Sequence, residues 1–187
     1  MSFDKGEMVT MRKAGVWCAV LMCAAMTASA QTAKSSLLTR DLTGKPAPEL
    51  KLKSAEGKAY DLAAMKGKTV LIDFWATWCG PCRQALPVVK KVYEEEKGKG
   101  LVVWSVDEDT NAQQAAAFLQ KEGYTWPDLH DAGMTAMKTW GTKGIPYMVI
   151  VDRTGKVAFV HVSSMSQKLN LVEFEKDLRE AVSKAME

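Results

Sequence analysis

Two cysteines three positions apart carry the most specific chemical signal in this sequence of 187 residues. They lie in the segment Trp78-Cys79-Gly80-Pro81-Cys82, which follows an apolar run and begins a helical pattern. The first turn of a helix has N–H groups without intrahelical partners and a partial positive charge, which stabilise a thiolate at Cys79. Such a thiolate attacks a disulfide, and Cys82, one helical turn away, can then attack the mixed disulfide. Pro81 suits this first turn, where a missing N–H has no cost.

Metal binding is the alternative use of a Cys-X-X-Cys pair. A structural zinc site needs further Cys or His ligands, and the histidines of the chain, His130 and His161, are not at a ligand spacing from each other. A copper chaperone would add soft thioether ligands, for which the chain offers Met134, Met137, Met148 and Met165. Methionines at such scattered spacing are typical of a core. The sequence therefore predicts no metal and no other cofactor, with a copper metallochaperone as an alternative.

Hydrophobic patterning predicts the elements that position the pair. In chain order they are a hairpin over 49–60, a strand over 69–75 buried on both faces, a helix from Cys79 to Lys97, a strand over 101–106, a helix that begins at the capping-box spacing of Thr110, a short helix over 134–140, strands over 147–151 and 156–162, and a last helix from Asn170. This order predicts an α/β fold with a mixed central sheet, helices on both faces and an N-terminal hairpin.

The N-terminus has the order of a secretory signal peptide. Lys5, Arg12 and Lys13 precede an uncharged stretch over 14–28, and Ala28-Ser29-Ala30 places small residues before a cleavage site. We predict a signal peptide over 1–30 and one domain over 31–187 in the periplasm or another extracytoplasmic compartment. An uncleaved leader that anchors the protein is the alternative, although the stretch is shorter than the about 20 apolar residues of a spanning helix.

Composition excludes several other classes of protein. The 25 Lys+Arg and 22 Asp+Glu residues leave a net charge of +3, and no basic run is interleaved with aromatic residues, so no nucleic-acid partner is predicted. The 47% of hydrophobic and 25% of charged residues are typical of a globular protein. Four cysteines are too few for a disulfide scaffold, and a pair as close as Cys79 and Cys82 closes almost no loop. The pair therefore needs a purpose other than stability.

Two segments show a family resemblance. Residues 70–83 resemble the signature segment of thioredoxins almost residue for residue, and Gly144-Ile145-Pro146 resembles their cis-proline loop. The leader, the hairpin and residues 107–140 are similar to the TlpA/ResA branch of this superfamily, which consists of extracytoplasmic thiol–disulfide oxidoreductases. The resemblance covers residues 42–187 and implies a thioredoxin-like fold.

The resemblance also implies roles for individual residues. Cys79 would be the nucleophile and Cys82 the resolving thiol. Asp73 matches a buried aspartate that assists deprotonation of the second cysteine, and a lone carboxyl inside an apolar strand should have a raised pKa. A buried aspartate hydrogen-bonded to backbone is the alternative. The residues expected to bind substrate are Trp78, Gly80, Pro81, Ile145 and Pro146.

The function implied is reduction of protein disulfides by a monomer, with a membrane thiol carrier as electron donor and a role in cytochrome c maturation. A disulfide-forming oxidant and a thiol peroxidase are the alternatives within the superfamily. Peroxidases place a threonine three positions before the reactive cysteine, where this chain has Ala76. Two positions depart from the family pattern: Ala85 replaces a glutamate found in many TlpA/ResA-like proteins, and Val103 replaces a lysine that would neighbour Asp73.

Acidic residues outside these motifs receive a structural interpretation. Asp107-Glu108-Asp109 is predicted to form a turn and a helix N-terminus, with a cation site as the alternative. His130, between Asp128 and Asp131, is predicted to lie in a solvated loop rather than in a catalytic dyad, and His161 is predicted at the rim of a strand.

Overall fold

The computed structural model of this protein describes residues 37–164 and 168–187. The predicted signal peptide lies outside these residues, as does Met165. In chain order the strands are β1 (Lys51–Ser54), β2 (Ala59–Asp61), β3 (Thr69–Trp75), β4 (Leu101–Asp107), β5 (Asp128–His130), β6 (Tyr147–Val151) and β7 (Val157–Val162). The α-helices are α1 (Gly80–Glu96), α2 (Ala112–Lys121), α3 (Thr135–Thr139) and α4 (Leu171–Ala185).

All the described strands belong to one mixed sheet with the order β2-β1-β5-β4-β3-β6-β7. The central strand β3 pairs in parallel with β4 and antiparallel with β6, with Asp73 opposite Ser105 on one side and Met148 on the other. Every residue of β3 is buried, as expected for a strand that carries no outward polar face. β1 and β2 form the predicted hairpin. The thioredoxin-like fold class is thus confirmed.

Helices cover both faces of the sheet, as the α/β pattern predicts. Side chains alternate along β3, so Thr69, Asp73 and Trp75 point to one face and Phe74 to the other. On the first face the Thr69 hydroxyl donates to the last residue of α4 at 2.9 Å, and the Trp75 ring packs against Phe118 of α2. On the opposite face Phe74 packs against Trp140, the residue that ends α3. The core therefore lies on both sides of β3.

Two expectations about local structure are wrong. His130 lies in strand β5, between β1 and β4, and not in a solvated loop. Three residues with one buried apolar side chain are too short a signal for periodicity to detect. Helix α2 is capped by Asn111, whose side chain accepts from the Gln113 N–H at 3.0 Å, and not by Thr110. Asparagine is as good an N-cap as serine or threonine, so the capping-box spacing was a coincidence.

Candidate active site

The cysteine pair lies where the loop after β3 enters α1. Cys79 is the N-cap of this helix of 17 residues, and its Sγ accepts a hydrogen bond from the Cys82 N–H at 3.2 Å. The two cysteines form a disulfide with their Cα atoms 5.3 Å apart. Gly80 and Pro81 occupy the first turn of α1. Proline fits there because the first helical N–H groups have no carbonyl partner within the helix. The predicted pair therefore sits at the positive end of a helix dipole.

The cis-proline loop borders the same region. The peptide bond between Ile145 and Pro146 is cis, as the resemblance predicts. Ile145 and Trp78 both line a cavity of about 350 Å³, which we call the Trp78 groove. Trp78 is 53% exposed, whereas Cys79 and Cys82 are each 0% exposed. A partner that approaches the disulfide therefore meets the exposed Trp78 side chain before it meets a sulfur atom.

Asp73 is a fully buried carboxyl group within the central strand. Both of its oxygens are buried and have no hydrogen-bond partner among the described residues, which contradicts the alternative of an aspartate bonded to backbone. Burial alone raises its pKa to about 8. Since Val103 stands where a lysine would neighbour it, no cation lowers this value. A carboxyl of this kind exchanges a proton near neutral pH, as a catalytic base requires.

A second acidic group, Asp128, shares the face of the sheet with Asp73. It accepts the Trp75 indole N–H at 3.0 Å, and burial raises its pKa to about 8. The charges of Asp107, Asp109 and, least, Asp73 add to this rise in the pKa of Asp128. Because Asp128 was predicted to lie in a solvated loop, its place beside Asp73 was not foreseen. No periodic signal could have identified it, since β5 has only three residues.

His130 does form an acid–histidine pair, but with a residue distant in sequence. Its Nδ1 lies 2.8 Å from Oδ2 of Asp107, the last residue of β4. The other Asp107 oxygen accepts the Asp109 N–H at 2.8 Å. Parallel pairing of β4 with β5 places Asp107 directly opposite His130. The pair therefore follows from strand register, which sequence spacing does not reveal.

Hydrogen bonds tie the loops after β3 and β4 together. The Asp109 carboxylate accepts the Thr77 N–H at 2.9 Å and the Thr77 hydroxyl at 2.8 Å, and the Glu108 N–H donates to the Trp75 carbonyl at 2.9 Å. These bonds hold the residues just before the cysteine pair against the carboxyl end of β4. Asp107 is the last residue of β4, so the prediction of a turn and a helix N-terminus over 107–109 is wrong for that residue, and all three residues are buried.

The structure therefore brings most of the predicted site residues to one end of the sheet. Cys79, Cys82, Gly80 and Pro81 are contiguous at α1, and Trp78 and Ile145 share the groove. Asp73 lies inside the sheet and makes no hydrogen bond to either cysteine of the closed disulfide. Among residues 37–164 and 168–187, no helix is long and apolar enough to cross a membrane.

A mixed sheet with helices on both faces, a disulfide at a helix N-terminus and a cis-proline loop that shares a groove with Trp78 define the thioredoxin class of protein. The Redoxin family matches residues 42–178 of this chain. The chain belongs to this family, as a TlpA/ResA-like member of the thioredoxin superfamily.

Known proteins of this family are similar over the same domain. Thiol-disulfide oxidoreductase ResA of Bacillus thuringiensis is 33% identical over 114 residues, which are 61% of this chain and 66% of that protein. The chain thus spans just under two thirds of that relative. Thioredoxin-like protein YneN of Bacillus subtilis is 36% identical over 67% of this chain and 74% of its own length. A crystal structure from Chlorobium tepidum, provisionally assigned as thiol:disulfide interchange protein DsbE, has 30% identity and a TM-score of 0.68, covering 78% of this chain and 98% of that one.

Proposed function

We propose that this protein is an extracytoplasmic thiol–disulfide oxidoreductase that reduces disulfides of protein substrates. The observation that carries the proposal is the Cys79–Cys82 disulfide at the N-terminus of α1, beside a groove bounded by Trp78 and Ile145. A pair at this position alternates between a dithiol and a disulfide. The names of the similar ResA and DsbE proteins support thiol–disulfide exchange.

The reaction transfers two electrons from the cysteine pair to the substrate. The Cys79 thiolate attacks one sulfur of the substrate disulfide, so that a Cys79–substrate bond forms and the other substrate sulfur leaves as a thiolate. Cys82 then loses its proton and attacks Cys79, which breaks the mixed disulfide and releases the second substrate thiolate. The products are a reduced substrate and the closed Cys79–Cys82 disulfide.

Asp73 is the proposed acceptor of the Cys82 proton. Its pKa of about 8 leaves a fraction of the carboxylate ionised at neutral pH, and that fraction is a stronger base than an ordinary aspartate. Its place on the buried face of β3, without any other hydrogen-bond donor, leaves the carboxylate available for this proton. Trp78, Gly80, Pro81, Ile145 and Pro146 are proposed to form the surface that receives the substrate.

The mixed disulfide gives a direct test of the two cysteine roles. In a Cys82→Ser variant, Cys79 still attacks but nothing resolves the bond, so a substrate protein should accumulate covalently on Cys79. The matched Cys79→Ser variant should capture far less, because Cys82 lies within the first turn of α1, whereas Cys79 is the N-cap at its end. Non-reducing gel electrophoresis and mass spectrometry of the captured species would measure this. Equal capture by the two variants would contradict the assignment.

Reduction is the proposed direction because the Gly80-Pro81 dipeptide resembles that of reducing members of the superfamily. We infer from the predicted leader that the protein acts outside the cytoplasm, where a reductant needs electrons from a membrane thiol carrier. Cytochrome c maturation is the proposed process, from the resemblance to TlpA/ResA-like proteins.

The reduction potential of the Cys79–Cys82 pair decides whether the protein reduces or oxidises its partners. Equilibration of the protein with a graded thiol redox buffer, followed by alkylation of free thiols, measures this potential. We expect a value near the thioredoxin level of about −270 mV. A value near about −120 mV would mean that the protein oxidises its partners, and it would refute the proposed direction while leaving the thiol–disulfide chemistry intact.

A further inference from the structure

The Trp78 groove contains a buried acidic group that the proposed mechanism does not use. Its walls include the apolar side chains of Trp78, Met134, Met137 and Ile145, and Glu108 lies among them. Glu108 is 4% exposed, and both of its carboxyl oxygens are buried without a hydrogen-bond partner among the described residues. A buried carboxyl without a hydrogen-bond partner destabilises the folded protein. Its presence beside the proposed substrate groove therefore suggests a role in substrate binding.

The two acidic neighbours of Glu108, Asp131 and Asp107, already make hydrogen bonds to other groups. Asp131 accepts two backbone N–H groups of α3, from Thr135 at 2.9 Å and from Met137 at 3.1 Å. Asp107 is occupied by His130 and by the Asp109 N–H. Two carboxyl groups can share a hydrogen bond only when one of them is protonated. Burial first, and then the charges of Asp131 and Asp107, raise the pKa of Glu108 to about 9.

One cationic side chain, Lys143, also lines the groove. It makes no ion pair with Glu108 in the part of the chain that the structure describes. The groups that face Glu108 are thus two carboxyls, Asp107 and Asp131, with His130 reaching it only through Asp107. Several carboxyls near one point give a negative potential, which attracts a cation more strongly than a neutral donor.

The shape and chemistry of the groove specify one class of occupant. Lysine and arginine have a long apolar stem that packs along hydrophobic surface and a charged head that seeks acceptors. The apolar walls formed by Trp78, Met134 and Ile145 suit such a stem, and Glu108 suits the head. A purely aliphatic side chain would leave the carboxyl oxygens without a donor, as they are in the free protein.

We propose that Glu108 is a specificity-determining residue, which selects substrates that carry a lysine or arginine beside the reacting cysteine. This inference rests on the proposed function, since it assigns a substrate preference to the same groove. The substrate cation would pair with the Glu108 carboxylate, and the proton that Glu108 holds in the free protein would leave to solvent. Atoms and charge balance, because one proton is released for each cation bound.

The test uses peptides in which one cysteine forms a mixed disulfide with thionitrobenzoate, whose release is coloured. Matched peptides carry arginine or its neutral isostere citrulline next to the cysteine, on either side in separate peptides. The reduced full-length protein, its Glu108→Gln variant and a Glu180→Gln control are compared by second-order rate constants. Glu180 is an exposed residue of α4, so the control makes the same chemical change away from the groove.

We expect the arginine peptide to react about tenfold faster than the citrulline peptide with the wild type and with Glu180→Gln, equivalent to about 1.4 kcal/mol. In Glu108→Gln the ratio should fall to about two or below. Equal rates for the two peptides in the wild type, or an unchanged ratio in Glu108→Gln, would overturn the specificity while leaving the proposed exchange reaction intact. Failure of the wild type to react with any peptide would overturn both.

A second measurement needs no variant of Glu108 and so does not depend on its folding. Peptides with serine in place of cysteine bind to the oxidised wild type without reacting, and calorimetry in buffers of different ionisation enthalpy counts the protons released. At pH 7.5 the arginine peptide should release close to one proton more than the citrulline peptide. Equal proton counts for two bound peptides, or no tighter binding of the arginine peptide, would contradict the pairing with Glu108.

Discussion

Replacing Asp73 by asparagine should stabilise the folded protein at neutral pH, and the size of the effect follows from burial. The carboxyl is fully buried, and its pKa rises from 3.8 to about 8. Between about pH 4 and pH 8 the folded protein therefore holds a proton that the unfolded chain has released. The folded state binds more protons, so its stability falls as pH rises through this window.

The pKa values set the magnitude of this effect. At pH 7 the unfolded carboxyl is ionised and the folded one is not, and the difference corresponds to a destabilisation on the order of 4 kcal/mol. Asparagine has nearly the same shape and no charge, so Asp73→Asn removes this cost. Its amide is itself without a partner at this site, which costs about 1–3 kcal/mol. The net expected gain at pH 7 is about 1–3 kcal/mol, and at pH 4 the gain should be absent.

Urea unfolding of the oxidised protein, followed by circular dichroism at pH 4 and pH 7, measures both values. An Asp177→Asn variant makes the same change at an exposed position of α4 and should show no such pH dependence. If Asp73→Asn raises the free energy of unfolding equally at the two pH values, or lowers it more at pH 7 than at pH 4, burial does not raise the pKa of Asp73 as stated.

The same Asp73→Asn variant tests the proposed catalytic role through a different measurement. If Asp73 accepts the Cys82 proton, the substitution should slow resolution of the mixed disulfide at pH 7, by about 10²-fold or more for a general base. The initial attack by Cys79 should change much less, because Asp73 does not take part in it. Rapid quenching with acid separates the two steps. Resolution at the wild-type rate would remove Asp73 from the mechanism and leave only its effect on stability.

Two further substitutions test how the site is held in place. Gly141 has φ +79°, and a Cβ atom there would lie 2.9 Å from the Arg40 carbonyl oxygen. Gly141→Ala should therefore lower the free energy of unfolding by more than Gly155→Ala does. At Gly155 φ is +85°, but no atom lies within 4 Å of the added Cβ. Equal decreases in the free energy of unfolding, measured in urea, would contradict the predicted clash with Arg40. Asp131→Ala removes the acceptor of two N–H groups of α3. It should lower the free energy of unfolding by about 2 kcal/mol. A melting temperature within one degree of wild type would refute this role of Asp131.

Local patterns in the sequence were sufficient for the centre of the molecule. The apolar run 69–75 became the buried strand β3, and the Cys-Gly-Pro-Cys segment became the first turn of α1. Both follow from short-range physics, since a continuous apolar run needs burial and the first helical turn accepts proline. The lone aspartate in the run also predicted its own raised pKa, because burial penalises its charge whatever surrounds it.

Pairings between distant residues needed the tertiary structure. The His130–Asp107 pair, the Trp75–Asp128 hydrogen bond and the loop tie between Thr77 and Asp109 join residues 23, 53 and 32 positions apart. Strand β5 supplies His130 and Asp128 for the first two of these pairs, and it is too short to have a periodic signature of its own. The third pair joins the loops after β3 and β4.

The burial of Glu108 is the clearest example of a feature that the sequence pattern did not predict. In the chain it is one of three consecutive acidic residues, a pattern typical of a solvated turn. The sequence by itself determined the cysteine pair, the buried aspartate and the alternation of strands and helices, because each depends on residues close together in the chain. Only the tertiary structure decided that Glu108 is buried without a donor in the Trp78 groove. Burial depends on which distant elements pack against a residue, and here those elements are α3 and the cis-proline loop.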